Sequence, residues 1–418
     1  LQVAPIAAQN KVLFISGPAA TDAVTGVNTG APAARRPERG REGGKMATET
    51  LTAAATAPGS SPRRRRGGIR SNENLAGWLF VAPVIVILGL FLLLPILMAL
   101  WVSLTDWNGQ GSPFTGDVPF VGGHNYTQLF TEDGLARRDF MTSIRNNIYY
   151  VAIVVPAETV LALGLALVVN NRMLKGKSFF RSAFYFPSVT SSVAISVVFL
   201  FLFANSGAVN ALLGFFGIDG PEWFADSRGV LHLLFGAVGV DSPPAALTDG
   251  GPFGLSWWDW LAGPSVAMMS IITLVIWTTS GTFMLMFLAG LQNVPVTLDE
   301  ASTLDGASRW QRFRYVTLPM IRPTTFLVLT LGMIGSWQVF DQVYVMSQGD
   351  PAKTTLTPAY LSYRTAFRDF DYGSGAAISF VLFLIIIVLT LIQRRALAER
   401  DTDRPRRGWR RRRVPERS

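Results

Sequence analysis

The residues whose types and spacing point to a specific task lie between Thr297 and Pro323. Thr297 is followed three residues later by Glu300, and Ser308 three residues later by Gln311. A hydroxyl residue with Glu or Gln at that spacing is the signature of a capping box at a helix N-terminus. Gly306, between the two, is free to adopt the left-handed backbone that stops a helix. Trp310, Phe313 and Val316 then share one face at helical spacing, with Arg309, Arg312 and Arg314 on other faces. Pro319 and Pro323 keep the second helix from running straight into the next apolar block. The pattern predicts a compact two-helix knob with an apolar face. Its chemistry is recognition: it could seat in a groove of another protein, or lie against a bilayer or its own helix bundle.

Catalytic patterns are missing. Gly176-Lys177-Ser178 resembles the end of a phosphate-binding loop, but Asn171 stands where the first glycine belongs. Without cysteine there are no disulfides, thiol nucleophiles or cysteine metal sites. The two histidines, His124 and His232, leave little for a metal. No Ser/His/Asp set or paired carboxylates stand out. The chain is therefore expected to have no catalytic residue, no metal and no cofactor of its own.

The rest of the chain must position the knob. Of 418 residues 49% are hydrophobic and 16% charged, against roughly 25% charged in soluble domains. The apolar residues come in blocks of about 20, enough to cross a bilayer as a helix, and they do not alternate as barrel strands do. The expected fold is all-α, a polytopic membrane protein with six transmembrane helices at about 76–104, 147–169, 183–204, 264–291, 324–346 and 375–392. Pro83 and Pro95 predict kinks or a late start in the first, and Pro187 lies near the start of the third. Residues 1–70 read as a disordered basic N-terminal region, 71–393 as the membrane domain and 394–418 as a basic cytoplasmic tail. Met46 is the first methionine and the expected translation start, which would leave 1–45 untranslated.

The formal charge of +9 is concentrated where it sets topology. Arg63, Arg64, Arg65 and Arg66 precede the first helix; Arg172, Lys175, Lys177 and Arg181 lie between the second and third; Arg309, Arg312, Arg314 and Arg322 lie between the fourth and fifth; Arg394 and Arg395 follow the sixth. Lys and Arg in short loops mark the cytoplasmic side. Both termini and the loop 297–323 are therefore expected there, and the arginine tails are read as topology signals rather than as a nucleic-acid site.

With that side assigned, the loop resembles the EAA loop of ABC importer permeases, which reads Glu-Ala-Ala, Asp-Gly-Ala, Phe and Leu-Pro. The matching residues are Glu300-Ala301-Ser302, Asp305-Gly306-Ala307, Phe313 and Leu318-Pro319, with Ser302 in place of the second alanine. In that family the loop docks on the ATP-hydrolysing subunit, so the resemblance implies ATPase coupling for these residues. It extends over about 74–393 and narrows to sugar permeases similar to the larger membrane subunit of the maltose transporter. Phe120-Val121-Gly122 with Asn125-Tyr126, Phe340-Asp341-Gln342-Val343-Tyr344 and Tyr363-Arg364 carry that likeness. The chain departs by lacking that subunit's extra periplasmic domain and by carrying an insertion at about 229–263. The resemblance implies a multi-pass subunit of a bacterial inner (plasma) membrane that imports a carbohydrate. Its partners would be a second permease, two ATP-binding subunits that use ATP and Mg, an extracellular solute-binding protein and the lipid bilayer. Glycerol-phosphate-type cargo and an ion-coupled secondary transporter stay open as alternatives.

A carbohydrate route needs hydroxyl and amide partners, with aromatic faces for sugar rings. The fourth helix offers Trp277, Thr278, Thr279 and Thr282; the fifth offers Gly332 and Ser336 on one face, with Gln338 beside it. The same Thr and Ser residues could instead join helices to one another. Glu158, near the middle of the second helix, is a functional candidate because intramembrane carboxylates are costly. It could line the path, carry a proton or bond a partner; the interface or structural role is the expectation.

Overall fold

The computed structural model describes residues 69–397, apart from 172, 241, 243, 249, 252 and 253. The basic N-terminal segment up to residue 68 and the tail beyond 397 lie outside the described residues. Among the described residues the chain is helical, with only the isolated bridges Thr105–Phe120 and Gly229–Ser265. Five helices are long and apolar enough to cross a membrane, and six if one bent pair counts as a span.

Helix α1 (Ile69–Leu88) passes through a π-helical turn, Gly89–Leu93, into α2 (Leu94–Val102). Pro95 explains the turn. Its ring cannot sit over the carbonyl four residues earlier and it has no N–H to give, so the Leu94 N–H reaches back five residues to Gly89 O. Helix α3 (His124–Phe130) then leads to α4 (Leu135–Asn170), which begins twelve residues before the span expected at 147. At ~1.5 Å per residue α4 is about 54 Å long, well beyond the ~30 Å hydrocarbon core, so its first turns stand outside the bilayer. Arg137, Arg138 and Arg145 therefore ride on a helix.

The third expected span, 183–204, is not one helix. Helices α5 (Lys177–Val189) and α6 (Ser192–Leu202) meet at 96°. Thr190 and Ser191 have ψ of 146° and 128°, so two extended residues break the helix. At 13 and 11 residues neither half reaches across a bilayer alone.

After α7 (Ala208–Phe215), the insertion forms a closed excursion. Its ends pair where Val230 N–H donates to Pro264 O (2.9 Å) and Leu231 N–H to Ala262 O (3.2 Å). Within it α8 (Val230–Ala237) and α9 (Trp257–Leu261) meet through His232 stacked on Trp258, with ring centroids 4.2 Å apart. At its edge, hydrogen bonds from Arg228 hold the Asp226 carboxyl below the usual carboxylate range.

Helix α10 (Val266–Gln292) is the central column, packed against α4, α5 and α13. The loop contains α11 (Val296–Leu304) and α12 (Arg309–Arg312), and α13 (Arg322–Trp337) leads to α14 (Asp341–Met346). The fifth span is thus also interrupted, at residues 338–340. Helices α15 (Pro358–Phe367) and α16 (Tyr372–Leu397) complete the fold. Asp139 on α4 accepts from Lys353 (2.6 and 2.9 Å) and Arg364 (2.8 Å), tying α4 to the loop before α15 and to α15 itself.

Two apolar clusters hold the bundle. One gathers Tyr150, Val154, Ile271, Leu274, Val275, Val339 and Val343. The other gathers Ala162, Ala166, Phe283, Phe287, Leu288 and Val328. On α4, α10 and α13 the clusters are separated by Glu158, by Thr279, and by Gly332 with Ser336. That polar seam positions the site.

Candidate functional site

Glu158 is 2% exposed and faces its own bundle, which suits the structural alternative of its expected interface or structural role. Thr279 Oγ1 lies 2.6 Å from Glu158 Oε2 and 2.7 Å from Val275 O. One hydroxyl proton can serve only one of those oxygens at a time. Glu158 Oε1 is buried with no hydrogen-bond partner. A Cβ at Gly332 would run into that oxygen, so only glycine lets α13 approach so closely.

Two cavities open from this seam. One, of about 250 Å³, lies between α4, α10 and α13 and is lined by Glu158, Thr279, Gly332, Ser336, Gln338 and Asp341, with Tyr150, Phe283 and Phe340 as its rings. The other, of about 290 Å³, lies at the α5–α6 break and is lined by Ser188, Ser192, Thr278, Thr279, Thr282 and Gln342. Thr279, Phe283 and Gln342 border both. Thr278, Thr279, Thr282, Gly332, Ser336 and Gln338 are thus brought together. Trp277 is not: it lines neither cavity, is half exposed, and packs on Phe199 at 5.6 Å.

The α5–α6 break is built into this wall. Ser188 Oγ donates to Thr278 O (2.5 Å) and accepts from Thr282 N–H (3.1 Å), bridging two backbone groups one turn apart on α10. Close approach is possible because residue 281 is glycine; a Cβ there would meet Phe184 O, Tyr185 and Ser188. On the other side of the break Ser192 Oγ donates to the Asp341 carboxylate of α14. Sequence reasoning passed over Ser188, Ser192 and Asp341 as site residues. A serine run beside Pro187 was the available signal.

The loop folds as two short helices. Gly306 has φ +76°, with Gly306 N–H on Thr303 O (3.1 Å) and Ala307 N–H on Ser302 O (3.0 Å), the paired bonds of a Schellman stop. Ser308 and Gln311 form the predicted capping box. The Thr297–Glu300 box does not form: Pro295 is the N-cap, Val296 begins the helix, and Thr297 lies inside the first turn. Pro295 fixes the chain earlier than the hydroxyl would. Arg312 Nη1, read in the sequence only as a surface and topology charge, joins the helices through Asp299 (3.1 Å) and Thr303 (2.8 Å). Beyond α12 a second π-helical turn, Phe313–Thr317, precedes Pro319 as the first precedes Pro95, and Ile321 breaks the path before α13.

Glu300, Ala301, Asp305 and Gly306 are grouped on the outer side of the loop with Leu304, while Ala307, Phe313 and Leu318 are half-buried. Of the expected apolar face, Trp310 is 66% exposed while Phe313 and Val316 are half-buried; Leu304 and Tyr315, outside that face, are 88% and 71% exposed. Trp310 and Phe313 rings lie 5.6 Å apart.

Interrupted helices, a mid-bundle polar seam and an exposed two-helix loop define a multi-span transport-type membrane protein. Residues 159–398 match the family of binding-protein-dependent transport system inner membrane components. The chain belongs to that family. It is 31% identical to the lactose transport system permease protein LacF of Rhizobium radiobacter over 338 residues, 80% of this chain and 98% of that one. The trehalose/maltose transport system permease protein MalF of Thermococcus litoralis is 28% identical, covering 78% of this chain and 94% of the relative. The arabinooligosaccharides transport system permease protein AraP of Bacillus subtilis is 29% identical, covering 77% and 88%. The fold is also that of a chain in the crystal structure of a bacterial ABC transporter involved in the import of the acidic polysaccharide alginate, with TM-score 0.59 at 20% identity, over 79% of this chain and 98% of that chain.

Proposed function

We propose that this chain forms half of the translocation path of an ATP-driven carbohydrate importer, and that the loop 297–323 couples the path to the ATPase. The observation that carries the reading is connectivity. The cavity-lining helices α10 and α13 are the two helices that the knob joins. A displacement of α11 and α12 therefore bears directly on Thr279, Gly332 and Ser336. The relatives' names speak of lactose, trehalose, maltose and arabinooligosaccharides. A cavity of hydroxyls and amides with three aromatic rings suits such cargo.

On this reading Glu300, Ala301, Ser302, Asp305, Gly306, Ala307, Phe313, Leu318 and Pro319 shape the coupling knob, and the exposed Leu304 and Trp310 seat in the ATP-binding subunit. ATP and Mg belong to that subunit, present twice. A second permease covers the exposed apolar length of α1 and α2, and an extracellular binding protein delivers the cargo. The basic loops support a cytoplasmic position for the knob and both termini, with the spans in the inner membrane of a bacterial cell.

Ion-coupled transport is the second reading. Buried Glu158 and the helix breaks at 190–191 and 338–340 are features it would use. Proteoliposomes holding the complex with its partners separate the two. Uptake is expected to require internal ATP and to survive an ionophore. Uptake that persists without ATP and collapses with the ion gradient would overturn the proposal.

A further inference from the structure

The seam cavity has an electrostatic character that the carbohydrate reading does not by itself require. Two carboxylates line it, Glu158 and Asp341, and among the described residues no Lys, Arg or His lines it or the neighbouring cavity at the α5–α6 break. Asp341 has a donor in Ser192. Glu158 is different. It is almost wholly buried, Oε1 has no donor, and its other oxygen shares the single Thr279 proton with Val275 O. Whichever way that proton points, Oε1 keeps an unfilled acceptor position, shielded against Gly332, so that a ligand meets it only as α4 and α13 part. A buried acceptor left unpaired is costly, and a ligand hydrogen removes the cost. A ligand carboxylate or phosphate would bring no hydrogen to it. It would also place negative charge beside two acids with no cation among this chain's described lining residues, at low dielectric.

We propose that Glu158 is the specificity-determining contact of this cavity: its free carboxylate oxygen accepts a hydrogen from a cargo hydroxyl, and with Asp341 it restricts the path to carbohydrate without negative charge. The inference rests on the carbohydrate reading above. It also excludes glycerol-phosphate-type cargo, and it separates this chain from the alginate importer whose fold it shares.

The test is ATP-driven uptake by the full complex in proteoliposomes with the binding protein saturated. The probes are lactose, maltotriose and arabinotriose, and the aldonic and uronic acid forms of whichever is imported. Wild type is expected to import a neutral sugar and to reject its carboxylate form. In Glu158→Gln, neutral uptake falls about threefold while the preference over the carboxylate form shrinks about tenfold or more, because the acid is gone and one acceptor has become a donor. Glu158→Asp, which keeps the charge on a shorter arm, slows uptake but retains the preference. If Glu158→Gln slows both cargoes by one factor, Glu158 only holds helices together and the inference fails while the transport reading stands. Wild-type import of the acid form at the neutral rate also overturns it. If wild type imports none of the neutral sugars with ATP present, the carbohydrate reading fails and this inference fails with it.

Discussion

The knob and the seam are incomplete in opposite senses. In the knob the polar groups are largely satisfied from within: the Schellman stop at Gly306, the Ser308–Gln311 box and the Arg312 links to Asp299 and Thr303. What it leaves open is apolar, with Leu304, Trp310 and Tyr315 in the aqueous loop. In the seam the apolar groups are satisfied by two clusters, and what is left open is polar, Glu158 Oε1. An exposed apolar patch calls for a protein surface; a buried unpaired acceptor calls for a small donor. On the proposed reading the same bundle carries a macromolecular contact at one end of α13 and a ligand contact further along it.

The largest expected effect breaks the knob's internal half. Gly306→Pro forces φ from +76° to about −65° and removes the N–H that meets Thr303 O. The α11–α12 angle is lost while the spans are untouched. Uptake is expected to fall to background with membrane abundance unchanged, read by transport assay and immunoblot. Retained transport would sink the coupling role.

Next is the seam. Gly332→Val drives a branched side chain into Glu158 Oε1, an overpacking that typically costs about 1–3 kcal/mol. Uptake is expected to drop about tenfold or more, since α4 and α13 must part. Association with the ATP-binding subunit should not change, because the knob is untouched. Equal loss of association would mean the two regions are not separable.

The knob's open half gives a middle-sized effect of the reverse kind. Leu304→Asp with Trp310→Ser should leave the folded chain as stable as before, since both residues are exposed. Co-purification of the ATP-binding subunit is expected to fall at least about tenfold, as for centrally buried apolar anchors. Undiminished co-purification would mean that this face lies against lipid instead.

How much of this was legible in sequence depends on the range over which each region is held. The knob is local. Gly306, the Ser308–Gln311 spacing and Pro319 act within a few residues, so the pattern gave its shape, and the miss at Thr297 is a short displacement imposed by neighbouring Pro295. Span positions were legible from apolar length. The 96° break was not, because Thr190 and Ser191 are compatible with a helix, and the flanking Ser188 and Ser192 are held by α10 and α14, distant in sequence. Thr278, Thr279, Thr282, Gly332, Ser336 and Gln338 could be proposed from polarity at membrane depth, but Trp277 could not be placed on the outside without knowing which face of α10 packs. Glu158 drew notice as a buried acid. That its partner is Thr279, 121 positions away, is tertiary information.

The smallest effect tests how the break is held. Ser188 Oγ sits between Thr278 O and Thr282 N–H, so one hydroxyl ties the end of α5 to two backbone groups of α10. In Ser188→Ala both groups can close on each other within α10, so no buried polar group need be orphaned and the net cost stays near ~1 kcal/mol. The tie between α5 and α10 is nevertheless gone, and the cavity at the break loses one hydroxyl. Expected is a roughly two- to threefold fall in uptake, about what one modest hydrogen bond supports, with thermal stability shifted by only a few degrees. Ser188→Thr should not rescue, because its methyl adds bulk at the close contact in which Ser188 Oγ already lies where a Gly281 Cβ would be. Full activity in both variants would show that the bend is carried by the extended residues Thr190 and Ser191 alone, and that only the seam, not the break, shapes the path.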